Sequence, residues 1–164
     1  MFNIVIIGLD NSGKTTLANS LVEMLEKSGS RCKYVHSLGN VSLDQQLEFL
    51  NHELSEDTEY DYKIFDRLPP IEEKVYGVVL RGVNRYGSTG IERFWLSKVD
   101  LFIFCNPGLD VITNWGNREQ MNGVIDNSKS LYNRYLEVYN ELVNSGYNVK
   151  TYNFKMDDYK ELIK

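Results

Sequence analysis

Eight residues near the start of the chain carry its strongest chemical signal. Gly8-Leu-Asp-Asn-Ser-Gly13-Lys14-Thr15 has the spacing G-x-x-x-x-G-K-[ST]. Glycines let a backbone turn sharply and bring successive N–H groups onto phosphate oxygens. A helix opening at Lys14 adds the positive end of its dipole. The pattern makes Gly8, Asn11, Ser12, Gly13, Lys14, Thr15 and Thr16 candidate contacts to the phosphates of ATP. In this chemistry Lys14 reaches the β/γ-phosphates and the Thr15 hydroxyl holds Mg²⁺. Thr16 reads equally well as an ordinary helix-start residue.

A second constellation is Tyr62-Lys-Ile-Phe-Asp66-Arg67, a carboxylate and a guanidinium where an apolar run ends. An acid placed after a strand beside a phosphate loop suits a second magnesium ligand, held directly or through water. The role of Asp66 depends on the acceptor. A hydroxyl acceptor must lose a proton, and Asp66 would then be its general base. A phosphate acceptor is already ionised, and Asp66 would then only orient Arg67 and Mg²⁺. Both readings stay open at this point.

These residues need elements to place them, and apolar patterning supplies them. Phe2–Ile7 is a near-continuous apolar run that reads as a strand buried on both faces. Leu17, Leu21, Met24 and Leu25 recur at helical spacing from Lys14 to about Lys27, with Gly29 as the stop. Arg31–Ser37, Tyr60–Phe65, Asp100–Cys105 and Tyr147–Tyr152 read as further strands. Leu43–Leu54, Ile71–Leu80 (started by Pro69-Pro70), Glu92–Lys98 and Asn127–Val143 read as helices. The tail Asp157–Ile163 reads as one or two helical turns. The alternation predicts an α/β fold, a three-layer αβα sandwich around a five-stranded parallel sheet. Ligands of such sheets bind beyond the carboxyl ends of the strands, where both constellations fall. The Asn- and Gly-rich stretch at about 110–126 has weak periodicity and reads as a small lid on a single domain, residues 1–164.

Composition narrows the partners. A net charge of −5 argues against sequence-independent binding to a nucleic-acid backbone, though it leaves room for a local basic cleft. No segment approaches the length of a membrane span, and Phe2–Ile7 lacks the basic flank of a signal peptide, so a cytoplasmic protein is expected. Cys32 and Cys105 lack metal spacing and are expected to be buried free thiols. His36 and His52 have no metal-site partners in sequence and default to structural roles. A nucleotide switch that reads guanine would need Asn-Lys-x-Asp after a late strand, where this chain has Cys105-Asn-Pro-Gly108.

The phosphate loop, the Asp66-Arg67 pair after the third strand, and the run Arg118-Glu-Gln-Met-Asn-Gly-Val leading to Leu131-Tyr-Asn-Arg-Tyr135 together resemble the thymidylate kinase-like group of P-loop nucleotide kinases, most of all small virus-encoded members. The resemblance implies transfer of the γ-phosphoryl group of ATP to a (deoxy)nucleoside monophosphate, with Mg²⁺. It implies that Asp10 contacts the acceptor's sugar hydroxyl, that Arg67 touches the acceptor phosphate, and that Arg118 is the lid arginine that closes on the transferred group. It also implies a homodimer. Members of the group carry an arginine on the helix before the Asp-Arg pair, whereas Leu47–Leu54 has none, so Arg81 or Arg85 is expected to replace it. Phe49 and Tyr76, and less strongly Tyr86, are candidates to stack on an acceptor base. Trp95 and Trp115 read as packing residues, and Arg134 as a helix-face residue that could assist Arg118. Two other functions compete. One is a kinase of a hydroxyl on a deoxynucleoside, a polynucleotide end or a hydroxymethylated base in DNA, which the missing arginine favours. The other is a regulatory module that binds ATP without turnover.

Overall fold

Strand β1 (Phe2–Ile7) explains the arrangement of everything else. Its alternate residues face two separate cores. Ile4 and Ile6 meet Leu17, Ala18, Leu21 and Leu25 of helix α1 (Lys14–Lys27). Val5 and Ile7 meet the opposite core, built from α2 (Leu43–Glu53), the helix that begins at Pro69, α5 (Gly90–Leu96) and α7 (Ser128–Asn144). A run that is apolar at every position is therefore what two covered faces require. The computed structural model describes residues 1–56, 58–87, 90–114, 116 and 123–164.

The remaining strands are β2 (Cys32–His36), β3 (Tyr62–Asp66), β4 (Leu101–Cys105) and β5 (Val149–Tyr152). All pairings are parallel, and the spatial order is β2-β3-β1-β4-β5. Because β3 and β4 flank β1, a crevice opens above the carboxyl end of β1. Register then places chemistry there: Asp66 lies opposite Ile6 of β1 and His36 of β2. The chain is thus the expected three-layer α/β sandwich. Among the described residues no helix is long and apolar enough to cross a membrane.

The helix after β3 differs from the single helix expected over Ile71–Leu80. Leu68 is extended, as a residue before proline must be, and Pro69 and Pro70 open α3 (Pro69–Glu72). A π turn at Glu73–Gly77 follows, and then α4 (Val78–Arg81). Such wide turns re-aim side chains and occur often at functional sites. Of the segment read as a lid, 110–112 belong to the short helix α6 (Leu109–Ile112), and Val124 is fully buried. Arg118 and Trp115 lie outside the described residues. Cys105 is buried, but Cys32 is only half-buried, which corrects the expectation of two buried thiols. Cys32 sits on β2, which among the described residues has a strand neighbour on one side only.

Candidate functional site

The phosphate loop joins β1 to α1 and is shaped by its contact with β4. Gly8 has φ 145°, and a Cβ there would meet the Cys105 carbonyl oxygen at 2.7 Å and Ser12 Oγ at 2.8 Å. Only glycine fits so close an approach. Lys14 is buried and donates from Nζ to the Leu9 carbonyl at 2.8 Å. Burial lowers its pKa, with Glu72 and Asp66 pulling the other way. The Thr15 hydroxyl donates to Asp66 Oδ2 at 2.5 Å, and the Tyr34 hydroxyl donates to the same oxygen at 3.0 Å. Asp66 is 1% exposed, and its Oδ1 is buried without a hydrogen-bond partner among the described residues. A hydroxyl beside an under-coordinated carboxylate is a hard-oxygen donor set of the kind Mg²⁺ takes when phosphate and water complete its shell.

Two other loop residues are placed differently from a simple phosphate contact. Asn11 has φ 66° and donates from its amide to the carbonyls of Val111, Ile112 and Asn114 at 3.2, 3.2 and 3.3 Å. It ties the loop to the segment after β4. Ser12 is buried, and its hydroxyl lacks a partner among the described residues.

Beside the loop lies a cleft of about 510 Å³, lined by Asp10, Lys14, Thr15, Asp66, Arg67, Glu72, Glu73, Tyr76 and Arg81 among others. That is a size suited to a small ligand. Arg67 has φ 76°, a backbone conformation costing about 1–3 kcal/mol for a residue with a Cβ, and such strain clusters at functional sites. Its guanidinium pairs with Asp10 and, at 2.9 Å, with Glu72. It also lies over the Tyr76 ring, 5.5 Å from the centroid. Burial alone would lower the pKa of Arg67, but Glu72, Tyr76 and Tyr135 together outweigh it and raise it. The Tyr135 hydroxyl donates to Glu72 at 3.1 Å, and the Tyr76 and Tyr135 rings meet edge to face at 6.0 Å. Burial pushes the Tyr76 phenol up to about 12. Tyr76 therefore lines the cleft chiefly as the platform of Arg67.

Farther along, Glu73 in the π turn accepts from Arg81 and Arg85, each at 2.6 Å on Oε1. Burial raises its pKa, but hydrogen bonds from Arg85 and the charge of Arg81 outweigh this and hold it below the usual carboxylate range. Gln46 Nε2 approaches Glu73 at 3.5 Å, and the Tyr86 hydroxyl donates to Gln46 at 2.9 Å.

Several sequence candidates sit elsewhere. Phe49 is half-buried on α2, packed against the core, and is not among the residues that line the cleft. Tyr86 is buried and supports Gln46. Arg134 donates to the Lys74 carbonyl at 2.8 Å and pairs with Glu137 and Glu141, so it braces the helix after β3 instead of reaching the loop. Trp95 packs in the core as expected. His36, expected to be structural, lines the cleft with Nδ1 3.7 Å from Asp66 Oδ2. Sequence reasoning missed Tyr34, Gln46, Glu72, Glu73 and Tyr135. Only the consecutive Glu72-Glu73 after Pro-Pro offered a signal, a pair of acids shortly after an Asp-Arg. A second cleft of about 1010 Å³ lies on the β4–β5 side of the loop, lined by Asn11, Gly13, Thr16, Asn114, Phe154 and Lys155 among others.

No protein-family model matches the chain, and no curated protein sequence matches it significantly. Solved structures do. The YorR protein of Bacillus subtilis, in complex with phosphorylated GDP, is 20% identical with a TM-score of 0.69, covering 97% of this chain and 90% of that one. A deoxyadenosine kinase from M. mycoides, with dCMP and dCDP as products, is 19% identical with a TM-score of 0.60, covering 99% and 95%. A shikimate kinase from Acinetobacter baumannii, in complex with shikimate, is 14% identical with a TM-score of 0.59, covering 99% and 88%. The chain therefore has the α/β fold of these three proteins, two of them kinases, over nearly its whole length.

Proposed function

We propose that this chain is an ATP-dependent phosphotransferase acting on a nucleotide-type acceptor, in the manner of the thymidylate kinase-like enzymes. One observation carries the reading. The Thr15 hydroxyl meets the Asp66 carboxylate beside Lys14, at the head of a cleft that continues to Arg67 and Arg81. Backbone N–H groups of Gly8–Thr15 and the Lys14 ammonium hold the donor's phosphates, whose charge offsets the desolvation of Lys14. Thr15 and Asp66 would hold Mg²⁺, whose charge would offset that of the phosphates. The donor's nucleoside lies in the second cleft, near Phe154 and Asn114. The resemblance assigns Arg118, outside the described residues, to the γ-phosphoryl oxygens, where developing charge needs a further cation.

The acceptor occupies the first cleft, and two oxygens compete to be the reacting one. The resemblance favours the phosphate of a (deoxy)nucleoside monophosphate, with Arg67 and Arg81 as its cations. A specific observation favours a hydroxyl: two carboxylates, Asp10 and Glu72, flank Arg67. In the hydroxyl reading the base is Asp10, because Asp66 is taken up by Thr15, Tyr34 and the metal assigned to it.

ADP release from Mg-ATP, measured with nucleoside monophosphates, nucleosides and short DNA in turn, tests the proposal. Acceptor-dependent release is the expected result. Tight ATP binding with silence across the panel would sink the enzymatic reading and leave a regulatory ATP-binding module.

A further inference from the structure

The two ends of the first cleft differ in sign. At the phosphate-loop end, Asp10 and Glu72 share one cation, Arg67. Among the described residues, that set carries one formal negative charge in excess, and Lys14 and Asp66 beside it cancel each other. At the other end the ratio is reversed, since Arg81 and Arg85 share one carboxylate, Glu73. Arg85 is committed to holding the wall: its NH1 donates to the Val41 carbonyl at 2.9 Å and its backbone N to Glu73 Oε2 at 3.2 Å. Arg81 faces the cleft with 33% of its side chain exposed, near Asn40 of the loop before α2.

This end is built, not incidental. The Glu73 side chain is 3% exposed, and the π turn carries it there. A Cβ on Gly77 would meet the Val83 carbonyl at 2.6 Å, Glu73 Oε2 at 3.0 Å and Arg81 NH2 at 3.2 Å. Glycine at 77 is what allows the Glu73–Arg81 pair to close under the helix. The arginine is thereby held on the cleft wall, where a guanidinium suits a phosphate.

We propose that Arg81 receives a phosphate of the acceptor that is not the reacting group. The acceptor is then a nucleotide that offers a neutral hydroxyl at the Asp10 end and carries its own phosphate at the Arg81 end. The proposal rests on the phosphotransferase reading. A phosphate dianion brought to Asp10 and Glu72 would meet like charge, whereas a hydroxyl there meets a group able to take its proton. In the step, the hydroxyl oxygen forms a bond to the γ-phosphorus. The bond from that phosphorus to the β–γ bridging oxygen breaks, ADP leaves with the electron pair, and the hydroxyl proton passes to the Asp10 carboxylate. A free nucleotide and a nucleotide within a DNA strand present the same chemistry.

The test follows ADP release and ³¹P spectra of products for four acceptors: a deoxynucleoside, its 5′-monophosphate, its 3′-monophosphate and a short single-stranded oligonucleotide, the last with and without a hydroxymethylated base. The expected product is a phosphomonoester. A phosphate-bearing hydroxyl acceptor should exceed the bare nucleoside at least tenfold in kcat/KM. Arg81→Gln should erase most of that advantage through KM, with a much smaller loss for the bare nucleoside, and Arg81→Lys should restore part of it. Preference for the 3′-monophosphate over the oligonucleotide identifies a free nucleotide as the source, and the reverse identifies a strand. Formation of a nucleoside diphosphate from the 5′-monophosphate would overturn the proposal while preserving the phosphotransferase reading. Equal losses for charged and uncharged acceptors in Arg81→Gln would also overturn it. Silence with every acceptor would remove both.

Discussion

The loop side and the helix side of the cleft are built by different means. At Gly8–Thr15 the shape is set by backbone: a glycine pressed against Cys105, a helix start, and one short hydrogen bond from Thr15 to Asp66. On the helix side, from Arg67 to Arg85, the shape is set by side-chain charge pairs that converge on Glu72 and Glu73. A backbone-built site needs particular residues at fixed spacing, so it leaves a motif. A charge-paired wall needs only a balance of partners brought together by the fold, so it leaves almost none. The first arrangement suits a ligand that is always the same, a polyphosphate. The second suits a part of the molecule that sets which acceptor enters.

Substitutions should separate the two sides. Lys14→Ala should lower kcat on the order of 10²–10³-fold, the cost of removing one preorganised charge donor, with the circular dichroism spectrum unchanged. Turnover near wild type would remove the loop from the chemistry. Gly8→Ala should cost about 2–3 kcal/mol in urea unfolding, because the new Cβ must displace the Cys105 carbonyl. A neutral result would mean the contact relaxes freely.

On the helix side, Glu73→Gln should cost about 1–3 kcal/mol, less than a fully buried pair because both arginines keep some contact with water. The pH dependence has a defined sign. The folded-state pKa of Glu73 is lowered, so its stabilisation is present above the ordinary carboxylate value and is lost as pH falls through the lowered one. The acid limb of the stability profile should flatten in Glu73→Gln, and an unchanged limb would contradict the pairing. Cys105 and Tyr76 are both pushed up to about 12 by burial. Their unfolded forms lose protons first, so stability should fall as pH rises above about 9–10, and a profile flat to pH 11 would contradict their burial. The smallest effect belongs to Phe49→Leu, a modest large-to-small change at a half-buried position, expected within about 1.5 kcal/mol and without effect on acceptor KM. A rise in KM would return Phe49 to the cleft.

The same contrast explains what the sequence revealed. Phe2–Ile7 and Ser128–Asn144 were legible because each carries one strong period, two covered sheet faces in one case and a helical stripe in the other. The loop residues and Asp66-Arg67 were legible because their chemistry demands local spacing. The π turn was not, since Glu73–Gly77 keeps an ordinary helical composition and is set by the packing of Gly77 against Val83 and Arg81. Tyr34 and Tyr135 were not, because each reaches its carboxylate across 32 and 63 residues of chain. Phe49 could not be placed from sequence for a related reason: an aromatic at helical spacing looks the same whether its face turns to a cleft or to the core.

The most direct test of the central claim needs no acceptor. The melting temperature of the protein is measured with a non-hydrolysable ATP analogue, with and without Mg²⁺, for wild type and Lys14→Ala. At 100 times Kd, binding adds about 2.7 kcal/mol of stability. The account predicts a clear rise for wild type that is larger with Mg²⁺ and is lost in Lys14→Ala. Absence of any shift in the wild-type protein at millimolar nucleotide would contradict a phosphate site at Gly8–Thr15.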